Sequence, residues 1–127
     1  MISSILKTDQ LVALIKEALS LGLEPLVETH NEEELRAIQH MNLSFVGVNN
    51  RNILEWETDD GTVSTTEQLA AFLPERAFVL SESSIASPSD VERAVRAGAH
   101  GVLVGTAILK AEDPAEMYRR LSLQRGQ

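Results

Sequence analysis

Four short clusters hold the side chains able to do chemistry, and each sits in or just after an apolar run: Glu28 within LVETH, Asn49-Asn50-Arg51 after FVGV, Ser81-Glu82-Ser83-Ser84 after FVL, and Gly105-Thr106 after GVLV. The last two suit one task. Small polar residues at two adjacent strand ends, Ser84 and Gly105-Thr106, can aim backbone N–H groups at a single anion, so this pair points to a phosphate site. Glu28 is a carboxylate in an apolar strand, where it is costly unless paired, which favours a functional reading. Plainer readings stand beside these. Asn49-Asn50-Arg51 fits an ordinary turn equally well, Glu82 a hydrogen-bonded rim residue, Ser83 and Ser84 turn or capping serines, and Gly105-Thr106 a helix start. His30, His40 and His100 have no metal-ligand spacing, and His40 and His100 fall at helix-to-strand junctions, where a structural role is expected.

The clusters need elements to hold them. Phe78-Val79-Leu80 and Gly101-Val102-Leu103-Val104 are too continuously apolar for half-exposed strands and read as parallel strands covered on both faces. Thr8 reads as an N-cap, with Leu11, Leu14, Ile15, Ala18 and Leu19 on one helical stripe and Gly22 as the stop, which gives a helix over 8–21. Strand-plus-helix units then start near 25, 43, 77 and 101. Their helices open at Asn31 with Glu34, Ser64 with Glu67, Ser87-Pro88, and Asp113-Pro114 with Glu116, after a short helical turn over 106–110. Leu69, Ala70, Phe72 and Leu73 form the apolar side of the helix that opens at Ser64. The stretch 52–63, with Trp56 and Asp59-Asp60-Gly61, reads as a long βα loop of the kind that covers a site, although packing explains Trp56 better. Residues 2–6 fit either the tail of a strand or a leader, and 121–127 are expected to fray. The class is α/β: four parallel βα units preceded by one helix, with strand ends near Glu28, Asn49, Glu82 and Gly105 on one rim. An open doubly wound sheet would want a glycine-rich turn after its first strand, where this chain has Glu-Thr-His-Asn, so half of a (β/α)8 barrel is the expectation.

Composition narrows partners. The chain has 127 residues, 43% of them apolar, enough for one domain with a core, so a single half-barrel domain over 1–127 is expected. A formal charge of −8 argues against nucleic acid or an anionic membrane as partner. There is no cysteine, and the first ten residues lack a basic segment followed by a long apolar run, so a cytoplasmic protein is expected.

LVETH, GVNNRN, VLSESSI with the following SPSDV, and GVLVGTAILKAEDP resemble, in order and near the same spacing, the carboxyl-terminal half of indole-3-glycerol-phosphate synthase. The resemblance runs from about Ile5 to about Leu121. It implies a TIM barrel that closes the indole ring of 1-(2-carboxyphenylamino)-1-deoxyribulose 5-phosphate with loss of carbon dioxide and water, in tryptophan biosynthesis, without a metal or organic cofactor. By motif, Glu28 matches the family's catalytic glutamate on the fifth strand. Asn49 and Arg51 match residues that hold the ring and carboxylate end of the substrate. Glu82 and Ser83 match the seventh-strand pair, and Gly105-Thr106 the phosphate step after the eighth.

Two departures accompany the match. Ser84 stands where the family has glycine, so a Cβ would interfere if that backbone takes a positive φ or approaches the phosphate closely. The resemblance also places the general-acid lysine and its partners on early strands, for which this chain offers only Lys7 as a conceivable stand-in, more simply read as a solvated loop residue. The isolated chain is therefore expected not to complete the reaction well. Its open edges and inward sheet face imply association, as a homodimer or with a complementing amino-terminal half. Two functions follow: a carboxy-lyase active within a complete barrel, or a non-catalytic phosphosugar-binding or assembly half-barrel. A phosphosugar isomerase would share the anion site without needing VNNR.

Overall fold

The computed structural model describes residues 1–51 and 62–122. Four strands, β1 (Val27–Thr29), β2 (Phe45–Asn49), β3 (Phe78–Glu82) and β4 (Gly101–Leu103), form one parallel sheet in the order β1-β2-β3-β4. The helices are α1 (Thr8–Ser20), α2 (Glu32–Ile38), α3 (Ser64–Gln68), α4 (Pro88–Arg96), α5 (Thr106–Leu109) and α6 (Pro114–Leu121). Sequential parallel strands joined by helices make half of a (β/α)8 barrel, as the alternation of patterns led one to expect. Of residues 2–6, Ile2 alone pairs with the sheet. Ile2 makes a parallel bridge to Glu28, whose N–H donates to the Met1 carbonyl at 2.7 Å, and a 3-10 turn over Ser3–Ile5 then leads toward α1.

The register divides the side chains into two faces. Val27, Val46 and Val79 lie in one row, and with Val48 they pack under Leu11 and Ile15 of α1, Leu35 and Ile38 of α2, and Leu69. A second apolar cluster joins Val91 and Ala94 of α4 to Val63, Ile85, Ala99 and Leu121. The other face carries Glu28, Gly47, Leu80 and Gly101 in one row and Asn49, Glu82 and Leu103 in the next, the rim row. Among the described residues, no element covers this face. Phe78 is 46% and Leu103 52% exposed, so the expectation of strands buried on both sides holds only on the helical side.

Local signals at the helix ends held in part. Gly22 (φ +75°) and Gly98 (φ +106°) end α1 and α4 in the left-handed region. Ser87 and Asp90 form a reciprocal cap on α4, with the Asp90 N–H donating to Ser87 Oγ at 3.3 Å and the Ser87 N–H to the Asp90 carboxylate at 2.9 Å. Thr8 and Ser64 are instead the first helical residues, with Lys7 and Val63 in the cap positions. No Ser64–Glu67 box forms, because Arg93 of α4 engages both Glu67 oxygens at 2.8 Å. Leu14 and Leu19 are 45% and 47% exposed, on a flank of α1 that no described element covers.

Candidate active site

The rim row and the row beneath it place two carboxyl groups and an amide on three neighbouring strands. Glu28 leaves β1 toward the uncovered face, and Asn49, at the end of β2, approaches it with Nδ2 3.5 Å from Oε2. The Asn49 Oδ1 accepts from the Arg51 N–H at 3.0 Å, which folds the chain over the strand end. Glu82 pairs in register with Asn49 and is only 3% exposed. Its Oε1 is buried without a hydrogen-bond partner.

Burial is the main reason that the Glu82 carboxyl is pushed up from 4.5 to about 7. The facing Glu28 carboxylate adds to the rise by its charge and by hydrogen bonding, while the amino-terminal ammonium opposes it. A carboxyl that keeps its proton to near neutral pH thus stands beside the Glu28 side chain, an arrangement suited to proton transfer.

Asn50, to which sequence reasoning gave no role, ties this rim together. It is buried, and its Nδ2 donates to Ser81 Oγ and the Glu82 carbonyl at 3.0 Å and to the Ser83 carbonyl at 3.2 Å. Its Oδ1 accepts from the Thr66 N–H at 3.1 Å and the Thr66 hydroxyl at 2.9 Å. One amide therefore joins the ends of β2 and β3 to the start of α3. The polarity of the Asn-Asn-Arg cluster was visible in sequence, but not which of its two amides ties the strand ends together.

Beyond Glu82 the backbone turns through two successive left-handed residues, Ser83 (φ +65°) and Ser84 (φ +57°). Ser84 does adopt the conformation for which a glycine would be suited. Gly105 has no such need. A Cβ built on it meets nothing within 4 Å, so that Cβ would project into open space at the head of α5.

All eight candidates, Glu28, Asn49, Arg51, Glu82, Ser83, Ser84, Gly105 and Thr106, line a single cleft of about 700 Å³. Lys110 lines it as well, although its place after the anion turn had suggested nothing. The cleft has an acidic floor at β1 and β3, Arg51 beyond β2, and Lys110 past the turn of α5. His30 and His100 stand apart from it. His30 Nδ1 lies 3.3 Å from Glu34, and His100 Nδ1 accepts from the Val79 N–H at 3.1 Å. Among the described residues, no three His, Asp or Glu side chains come together as a metal-binding group, and no helix is long and apolar enough to cross a membrane. Trp56 and Asp59-Asp60-Gly61 lie outside the described residues.

Comparison with known proteins places the chain in a family. The sequence model of the family described as indole-3-glycerol phosphate synthase matches residues 1–121. The chain belongs to that family. Indole-3-glycerol phosphate synthases of Thermococcus kodakarensis and Pyrococcus furiosus are 43% identical over 121 residues and 44% identical over 120 residues, covering 95% and 94% of this chain. A multifunctional tryptophan biosynthesis protein of Schizosaccharomyces pombe is 39% identical over 121 residues, 95% of this chain and 16% of its own length. The chain spans about half the length of the two archaeal synthases, 52% of each. Two solved structures share the fold. A chain of the Amycolatopsis orientalis BexX/CysO complex superposes with a TM-score of 0.68 at 22% identity, over 91% of this chain and 46% of that one. A native KDPGal structure gives 0.58 at 15% identity, over 91% and 61%.

Proposed function

We propose that this chain forms the carboxyl-terminal half of the active site of an indole-3-glycerol-phosphate synthase, a cytoplasmic carboxy-lyase of tryptophan biosynthesis. The observation that carries the proposal is the convergence of four separate motifs, those of Glu28, Asn49-Arg51, Glu82-Ser83-Ser84 and Gly105-Thr106, on one cleft at the strand ends. The substrate would be 1-(2-carboxyphenylamino)-1-deoxyribulose 5-phosphate. Its phosphate would lie against the backbone of Ser84, Gly105 and Thr106, and its carboxylated ring would lie toward Asn49 and Arg51. The Glu28–Glu82 pair would face the reacting carbons.

Ring closure joins the ring carbon bearing the carboxylate to the ketose carbonyl carbon, whose oxygen takes up a proton. Carbon dioxide leaves, and loss of water then completes the indole. Each stage needs a proton delivered or removed, and this half offers carboxyls for the purpose but no lysine among the rim residues of its strands. The general-acid lysine that the family resemblance places on the early strands would come from a complementing amino-terminal half, for which the half-exposed Phe78 and Leu103 on the inward face offer an apolar seat. Fully burying one such side chain stabilises by about 1.5–3 kcal/mol, so the drive to associate is substantial. The whole chain, 1–127, acts in this reading as a single half-barrel domain.

Co-expression with the amino-terminal half of a relative, followed by assay for indoleglycerol phosphate, tests the lyase. Product that disappears on Glu28→Gln supports it. Phosphate binding without turnover in the assembled barrel would instead identify a non-catalytic phosphosugar-binding half. Light scattering with size exclusion addresses association separately: a compact monomer that binds no apolar dye would refute it, and a homodimer would identify a second copy as the partner.

A further inference from the structure

Gly47 sits in the middle of β2, in register with Glu28 on one side and Leu80 on the other. Its φ is not in the left-handed region, so the backbone alone does not call for glycine there. The space above it does. A Cβ built on Gly47 would lie 2.1 Å from Oε1 and 2.9 Å from Cδ of Glu82, and 3.5 Å from Cγ of Glu28. The Glu82 carboxyl therefore lies directly over the Gly47 Cα, in the volume that any other residue would fill, with the Glu28 side chain at its border. This also accounts for the partnerless Glu82 Oε1, which faces a strand surface with no side chain on it.

We infer that Gly47 is a positioning residue whose missing side chain forms the floor on which the Glu28 and Glu82 carboxyls are brought together. The inference rests on the lyase reading only for its use; the geometry is independent of turnover. A methyl group at Gly47 meets the far end of a flexible side chain rather than backbone, so the Glu82 carboxyl is displaced into the cleft while the strand pairing stays. Displacement removes both burial and the close Glu28 charge, and the proton affinity that they raise must fall. Among the described residues, the other charged groups around Glu82 are the amino-terminal ammonium, Arg51 beyond β2 and Lys110 beyond α5, and none of them is moved directly by a methyl group on β2.

The experiment is a carbon-detected NMR titration of the glutamate side-chain carboxyls in the intact chain, without substrate. In the parent chain, Glu82 is expected to titrate near 7. In Gly47→Ala its midpoint is expected to fall by at least about one pH unit while the amide spectrum stays dispersed. An unmoved Glu82 midpoint in folded Gly47→Ala, or a parent midpoint in the ordinary carboxylate range, would overturn the inference. Should Gly47→Ala not fold, the double variant with Glu82→Ala decides, because removing the obstructed carboxyl must restore folding; a double variant that also fails to fold places the clash elsewhere and sinks the idea. Absence of indoleglycerol phosphate in the co-expression assay would count against the lyase alone and leave this result standing.

Discussion

Replacing Ser84 with glycine should both stabilise the chain and tighten its hold on phosphate. Ser84 has φ +57° and follows Ser83 at φ +65°, so two adjacent residues carry the Cβ penalty of the left-handed region. That penalty is roughly 1–2 kcal/mol for each residue. Glycine returns about 0.5–1 kcal/mol of it through the greater freedom of the unfolded chain. A net gain of roughly 0.5–1 kcal/mol remains, which for a chain of 127 residues raises the melting temperature by about 2–5 °C. Differential scanning calorimetry of Ser84→Gly measures this, and titration calorimetry with inorganic phosphate measures binding. Where the bound anion draws on the same strained backbone, relief of 1 kcal/mol corresponds to about fivefold in affinity. An unchanged or lower melting temperature would refute the strain argument. An unchanged phosphate affinity would show that this serine does not limit the site.

Further outcomes follow from the same rim. Because the folded Glu82 carboxyl holds its proton up to about pH 7 whereas the unfolded one releases it near 4.5, the native state binds the extra proton between those values; stability is then full below 4.5, declines as pH rises toward 7 and is level above. At about 1.4 kcal/mol per pH unit the decline is at most about 3 kcal/mol. Glu82→Gln should flatten it and be the more stable protein at pH 8; urea unfolding at pH 5 and pH 8 that showed parallel behaviour in both proteins would count against a raised carboxyl. Asn50→Ala strips buried partners from Thr66, Ser81 and the carbonyls of Glu82 and Ser83, and should cost roughly 2–4 kcal/mol on urea unfolding, since each stranded buried group costs about 1–3 kcal/mol. A loss below about 0.5 kcal/mol would show that water replaces the amide. Leu103→Asp, on the uncovered face, should leave the melting temperature of the isolated chain within a few degrees yet abolish pull-down of a complementing amino-terminal half; undiminished capture would show that this face is not the seat.

The strand ends were legible because every apolar run stops abruptly at a polar cluster, and parallel strands place such stops on one rim. Cap chemistry was legible where side chain and backbone act within four residues, as at Ser87-Pro88 and Asp113-Pro114. It failed at Ser64, whose expected partner Glu67 is held by Arg93, a contact across 26 positions of sequence that no local pattern records. Asn50 and Gly47 were missed for the same reason. A bridging amide and an absent Cβ acquire their meaning only once β2 lies between β1 and β3. The exposure of Leu14 and Leu19 was hidden too, because a helical stripe states which residues are apolar and not how much of the stripe has a neighbour.

The bridge between Ile2 and Glu28 makes the two borders of the sheet unequal. At the β1 border, the backbone beside Glu28 is already taken by Met1 and Ile2, so a strand that completes the sheet there must run on from Ile2 or dislodge it. At the β4 border, Gly101–Leu103 pairs with β3 on one side, and among the described residues no strand pairs with the other. One seam is thus begun in a set register and the other is blank. Since a slip of one residue would exchange the inward and outward side chains of an incoming strand, a strand entering beside β1 would meet a register already begun by the Ile2–Glu28 bridge.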